Sequence, residues 1–232
     1  MRVRFKEFNP EKFSFHKDPV LVIEDFWSQE ERALFQDALQ RSTWKCLTEM
    51  PEVKRVFPNC GNWLKAEIGP QEATIFRNRV TLPCIADFIE SFPNIKQRHM
   101  TFSYYSYGVG DCLSTHDDTG EDYSVERQPH QDHTEGRDRS TQPFPALRRI
   151  ALVAYLHHRW DHDWGGELII YNARKGKDGK LNLEVAHCLE PKPGSLVLFT
   201  VPRYHRVCRV DPLADSQKRL SIGGWFMTEH HG

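Results

Sequence analysis

A chain of 232 residues with 39% hydrophobic and 27% charged residues has the length of one domain and enough apolar content for a core of its own. Its formal net charge of -1 offers no excess of basic charge for a phosphate backbone, so a nucleic-acid partner is not expected. Six cysteines without a C-x-x-C pair exclude a disulfide framework or zinc knuckle, and neither a signal-peptide core nor a membrane span is visible, so the expectation is a cytoplasmic protein with no membrane partner.

Along the chain, Val20–Ile23 reads as a short buried strand. Ser28 and Glu31 then form a capping box, in which hydroxyl and carboxylate each satisfy a free N–H at a helix start. The helix runs to about Arg41, with Ala33, Leu34, Ala38 and Leu39 toward the core. A second helix is expected over Gln71–Ser91, bent or split at Pro83, with Ile75, Leu82, Ile85, Phe88 and Ile89 inward. From Met100 the pattern turns to strands: Met100–Tyr107, Arg149–Leu156, Gly166–Tyr171, Leu181–Val185, Gly194–Phe199 and Arg219–Phe226. Short strands at close spacing, preceded by helices, indicate a mainly β sandwich or barrel with the helices against one sheet. Thr119–Arg149 stands apart, crowded with charges, Gln, Pro and Gly; its expected role is part of a substrate lid.

Two histidines and one carboxylate form the facial triad of non-haem Fe(II) oxygenases. On an extended segment, His and an acid two residues apart face the same side. With 12 His and 32 Asp+Glu in 232 residues, chance alone produces about 1.7 H-x-[DE] pairs. Four occur: His16/Asp18, His116/Asp118, His130/Asp132 and His133/Glu135. Only His116/Asp118 follows a strand and a Gly turn, the rigid support that a metal ligand needs. An Arg such as Arg219 is the natural bidentate partner of a carboxylate, and Tyr107 and Ser221 could add hydrogen bonds to it. The cluster His157, His158, Asp161, His162 and Asp163 reads as a polar connection between strands.

The stretch from Tyr107 to Asp118 fits Y-x-x-G-D-x-L-x-x-H-x-D and resembles the prolyl-4-hydroxylase-like 2-oxoglutarate oxygenases. Further resemblances follow in order: Leu152–Leu156 with Trp164-Gly-Gly-Glu-Leu168, Pro193–Phe199 with Tyr204-His205-Arg-Val207, and Arg219-Leu-Ser221 with Trp225-Phe226. PVLVIEDFWSQEE resembles the family's opening strand and helix. Most of the chain is covered, apart from about Lys45–Gly69 and the polar insert.

The resemblance implies a double-stranded β-helix (jelly-roll, cupin-like) and one oxygenase domain over residues 1–232. Residues 1–99 would form the N-terminal strand and bracing helices, and 100–232 the core with polar insert 119–149. It implies His116, Asp118 and His205 as catalytic metal ligands, Tyr107, Arg219 and Ser221 as 2-oxoglutarate-binding residues, and Trp225 facing the active-site cavity. The expected cofactors are Fe(II), 2-oxoglutarate as co-substrate and dioxygen, with ascorbate as a reductant. The expected reaction hydroxylates an unactivated C–H bond of a small metabolite, amino acid or peptidyl residue, releasing succinate and carbon dioxide. A peptidyl-prolyl hydroxylase acting on a protein partner is one alternative, and a non-catalytic metal-binding β-sandwich, which would not need Arg219, is another.

Overall fold

The computed structural model describes residues 1–4, 20–92, 95, 99–119, 121–122 and 146–229. The pairs His16/Asp18, His130/Asp132 and His133/Glu135 lie outside these residues, as does most of the insert and therefore its expected role as a lid. The N-terminal part opens with strands β1 (Arg2–Arg4) and β2 (Val20–Glu24), followed by helix α1 (Gln29–Arg41). Both halves of the capping box form, Glu31 N to Ser28 Oγ at 3.1 Å and Ser28 N to Glu31 Oε2 at 2.8 Å. The inward face of α1 is set by Phe35, Ala38 and Leu39, whereas Leu34 is exposed. Ala38 and Leu39 face inward as expected, but Ala33 is exposed as well, and Phe35 takes the inward place in the first half of the helix by packing against Trp27 and Tyr104.

Next come β3 (Lys45–Cys46), α2 (Pro51–Val56) and β4 (Leu64–Ala66), none of them apparent in the sequence. The single helix expected over Gln71–Ser91 is two, α3 (Pro70–Val80) and α4 (Pro83–Glu90). Pro70 and Pro83 each sit in a first helical turn, where the missing N–H costs nothing. Ile85, Phe88 and Ile89 are fully buried, while Ile75 and Leu82 pack at the margin of the same core.

The remaining strands are β5 (Met100–Tyr107), β6 (Leu113–His116), β7 (Glu121–Asp122), β8 (Ala146–Tyr155), β9 (Leu168–Lys175), β10 (Leu181–Leu189), β11 (Leu196–Thr200), β12 (His205–Val207) and β13 (Arg219–Glu229). Strand β8 begins at Ala146, so the insert drawn as 119–149 ends earlier: residues 146–149 are ladder, with Met227, Thr228 and Glu229 opposite Arg148, Leu147 and Ala146. Among the described residues the major sheet runs β1-β2-β11-β8-β13-β5-β4-β3, with β7 on β8, and the minor sheet β10-β9-β12-β6. All paired strands are antiparallel.

The two sheets make the expected jelly roll. One core lies between the major sheet and the helices, built on Ile23, Phe35, Phe76, Ile89, Leu152 and Ile222. A second lies between the sheets, with Val22, Ala151, Tyr155, Ile170 and Phe199. Strand β8 is therefore covered on both faces, which accounts for its near-continuous apolar run. The candidate site joins the two sheets, with His116 and His205 on the minor sheet and Trp225 of the major sheet bonded to Asp118.

Candidate metal centre and co-substrate pocket

His116 ends β6 and stands opposite His205 at the start of β12, so one cross-strand pair of the minor sheet brings two imidazoles together at 4.1 Å between ring centroids. Asp118 lies two residues further on at φ 59°. Aspartate tolerates this left-handed conformation better than most residues, and the turn carries its carboxylate back over the histidines. Asp118 Oδ1 is 3.4 Å from His116 Nε2, and Oδ2 is 3.5 Å from His205 Nε2. One ligand atom from each residue lies within 4.8 Å of the others.

The surroundings prepare these atoms for a cation. His116 Nδ1 is 2.7 Å from the Ser114 carbonyl and His205 Nδ1 is 2.7 Å from the Arg203 carbonyl. Each Nδ1 therefore carries the proton and donates it, leaving the Nε2 lone pairs turned toward Asp118. Burial drives the His205 pKa down to about 4, the neighbouring His116 adds to this, and Asp118 opposes it. Burial works against ionisation of Asp118, but the adjoining His116 and His205 side chains and the Trp225 N–H hold its carboxyl below the usual range. Two neutral imidazoles and one carboxylate are the donor set of a divalent iron site. Trp225 on β13 reaches across from the major sheet, and its Nε1 donates to Asp118 Oδ2 at 2.7 Å. The aromatic edges of Phe57 and Phe199 pack on His116 and His205 respectively.

Arg219, at the start of β13, is only 2% exposed. Its Nε donates to the Gly166 carbonyl at 2.8 Å and its Nη2 to the Tyr155 hydroxyl at 3.1 Å. The Tyr107 and Tyr155 rings flank the guanidinium at 5.3 and 5.0 Å. No carboxylate among the described residues lies within ion-pair distance of it. A buried cation without a counter-charge is costly, and a guanidinium has five donors, of which two are used. An incoming carboxylate fits that demand.

Burial raises the pKa of both tyrosines against the opposing charge of Arg219, so both remain neutral phenols able to donate. Ser221 is buried on the same face, two residues along β13 and opposite Tyr155. The Gly165-Gly166 turn serves this pocket. A side chain on Gly165 would meet the Arg209 carbonyl at 2.3 Å, and one on Gly166 would press on Arg219 and Trp160 at 3.0 and 3.2 Å.

The geometry thus brings His116, Asp118 and His205 together, sets Trp225 against them, and places Tyr107, Arg219 and Ser221 in a neighbouring buried pocket. Sequence reasoning missed Tyr155, which reads as one more aromatic in an apolar strand, and the buried Trp63, whose ring stacks on Tyr107 at 5.7 Å with 4° between planes. Phe57 and Trp63 both come from the segment without a recognisable pattern. His157, expected to belong to a polar connection, is instead buried, with Nε2 2.7 Å from the Pro191 carbonyl. Asp111 of the G-D pair is a staple, accepting from Gly108 N and Asn62 N at 2.7 Å each.

The model of the 2OG-Fe(II) oxygenase superfamily matches residues 102–227, more than half of the chain. The chain belongs to that superfamily. The oxygenase is 38% identical over 81 residues to prolyl 3-hydroxylase OGFOD1 of Mus musculus, a match covering 34% of this chain and 14% of that protein. It therefore spans about a seventh of that relative's length. The fold is similar to a Pseudomonas putida prolyl-4-hydroxylase, with a TM-score of 0.54, 18% identity and coverage of 91% and 93% of the two chains. It also resembles a Trichoplax adhaerens prolyl hydroxylase solved with a hypoxia inducible factor peptide fragment, with a TM-score of 0.52, 18% identity and coverage of 90% and 83%. As a member of the superfamily, the oxygenase is an oxidoreductase that uses Fe(II) and 2-oxoglutarate.

Proposed function

We propose that this oxygenase hydroxylates a residue of a polypeptide, with proline as the first candidate, and that it divides the work among the residues above. His116, Asp118 and His205 hold the iron. Arg219 pairs with the far carboxylate of 2-oxoglutarate, and Tyr155 and Tyr107 donate hydrogen bonds to it. Ser221 closes the same pocket. Bound iron and 2-oxoglutarate supply the oxidising power, coupling decarboxylation to oxidation of a C–H bond. The protein binds, orients and keeps water out. Trp225 fixes the carboxylate of Asp118, and the two backbone carbonyls fix the imidazoles, so the donor set is ready before the metal arrives. Dioxygen is the remaining co-substrate, with ascorbate as a reductant in the same proposal.

The observation that carries the polypeptide reading is an open groove of about 1430 Å³ that shares Trp225 with the candidate site, although the metal ligands themselves do not line it. A free amino acid or small metabolite would leave most of it empty. The prolyl hydroxylases among its relatives support proline as the target. The buried, uncompensated Arg219 favours this reading over a non-catalytic metal-binding sandwich, which has no use for such a residue. Incubation of the Fe(II) enzyme with 2-oxoglutarate and a pool of proline-containing peptides tests it. Peptides gaining one oxygen atom, with matching succinate release and none from His116→Ala, are the expected result. Oxidation confined to free amino acids or metabolites would contradict it.

A further inference from the structure

The inner face of the major sheet extends sideways from the metal centre, across β5 onto β4 and β3, and there it carries two lysines. Directly opposed residues on adjacent strands share a face. The pairings Lys45–Lys65, Lys65–Tyr105, Tyr105–Ser221 and Ser221–Tyr155 therefore set one row of side chains across five strands. One end of the row is the 2-oxoglutarate pocket proposed above. The other is the lysine pair, and Lys45, Lys65, Tyr105 and Trp225 line the same groove.

Three features of this flank lack a purpose within the fold. Like charges directly opposite one another weaken a ladder, yet neither lysine has an ion-pair partner among the described residues. Trp63 also lines the groove and is 6% exposed, and its indole N–H has no acceptor there. Strand β5 is paired by β4 only at Tyr104, Tyr105 and Ser106, so among the described residues Met100–Ser103 has a strand neighbour on the β13 side alone. Respectively, these features call for an anion, a carbonyl-like acceptor and an extended backbone. An extended acidic peptide supplies all three.

We infer that the groove takes an extended segment of the substrate polypeptide along the free edge of β5, and that Lys45 and Lys65 receive an acidic side chain of that segment. The inference rests on the polypeptide reading. Lys65 and Trp225 are two strand spacings apart laterally and four residues apart along the sheet, about 16 Å in all. The acidic residue consequently lies roughly four to six residues from the oxidised one. Gly223, at the groove floor, leaves room for the Tyr105 ring, which a side chain there would meet at 2.9 Å.

The test uses the Fe(II) enzyme with 2-oxoglutarate and matched proline peptides bearing Asp, Asn or Lys four to six residues to either side of the target. Hydroxylation is followed by mass spectrometry. On one side, the Asp peptides should show a KM about tenfold below that of the Asn peptides. The advantage should shrink with added salt and vanish in the Lys45→Met/Lys65→Met enzyme. In Lys65→Glu the preference should turn toward the Lys peptides, a gain that a misfolded enzyme cannot produce. Equal kcat/KM for Asp and Asn peptides, or a preference surviving the double substitution, overturns the lysine assignment alone. Failure to oxidise any peptide overturns the polypeptide reading, and this inference with it.

Discussion

Trp225 and Arg219 lie six residues apart on β13 and face the same cavity with different duties. Trp225 holds a carboxylate oxygen of Asp118 through one N–H. Outer hydrogen bonds of this kind typically contribute roughly 10- to 100-fold to metal affinity. Trp225→Phe keeps the ring and removes the donor, so Fe(II) binding measured by anaerobic titration should weaken by about that factor. Arg219 is the proposed partner of the far carboxylate of 2-oxoglutarate. Tyr155→Phe removes one donor beside Arg219 and should raise the 2-oxoglutarate KM by roughly tenfold, as expected for a hydrogen bond to a charged group. An unchanged KM would remove Tyr155 from the pocket. At this scale the sequence was uneven. His116/Asp118 could be chosen among four pairs because a strand and a glycine turn precede it. Tyr155 could not, because an aromatic in an apolar strand has the same local pattern whether it packs or binds.

Among the elements, those with a strong local cause were legible. The capping box of α1 is a local exchange of hydrogen bonds, written in four consecutive residues. Ser28→Ala should lower stability by about 1 kcal/mol, a fall of roughly 2–4 °C in the melting temperature for a chain of this size. The face of α1 was harder to place. Its true inward residue, Phe35, is chosen by the tertiary partners Trp27 and Tyr104 rather than by helical period. Strands β3 and β4 have two and three residues, too short for an alternation to show. Their segment nevertheless supplies Phe57, Trp63 and the two lysines. Gly224 is an element-scale constraint of another kind, because a side chain there would come within 1.9 Å of the Thr101 carbonyl. Gly224→Ala should therefore force β13 from β5 and sharply lower the melting temperature, whereas Gly179→Ala, in an open hairpin turn at positive φ, should cost far less.

For the whole molecule, two buried imidazoles link stability to pH. Burial lowers the His157 pKa to about 4, with the Pro191 carbonyl opposing the shift, and that of His205 also to about 4. The unfolded chain binds these protons near the ordinary value of 6.5. The stability that the neutral forms confer is therefore complete above about pH 6.5 and is lost as the pH falls toward 4. Each group gives a slope of at most about 1.4 kcal/mol per pH unit in that window. Thermal melts of the metal-free protein should show Tm falling from pH 7 to 4.5, and His157→Gln should flatten the decline. A decline of unchanged steepness would remove His157 as a cause. A sandwich or barrel was legible from the short, closely spaced strands and the jelly roll from the family resemblance, while the groove was not legible. It arises where β3, β4, α2 and the part of β5 that β4 does not pair among the described residues meet, a juxtaposition without a sequence signature.

The central claim is that His116, Asp118 and His205 hold iron beside a carboxylate clamp centred on Arg219. Anaerobic titration of the Fe(II) protein with 2-oxoglutarate, followed by the visible metal-to-ligand charge-transfer absorption, tests both halves at once. The wild-type protein should develop the band at stoichiometric iron. Asp118→Ala should abolish it, and Arg219→Met should require at least about tenfold more 2-oxoglutarate to reach it. No band in the wild-type protein, or unchanged titration curves in both variants, would contradict the account.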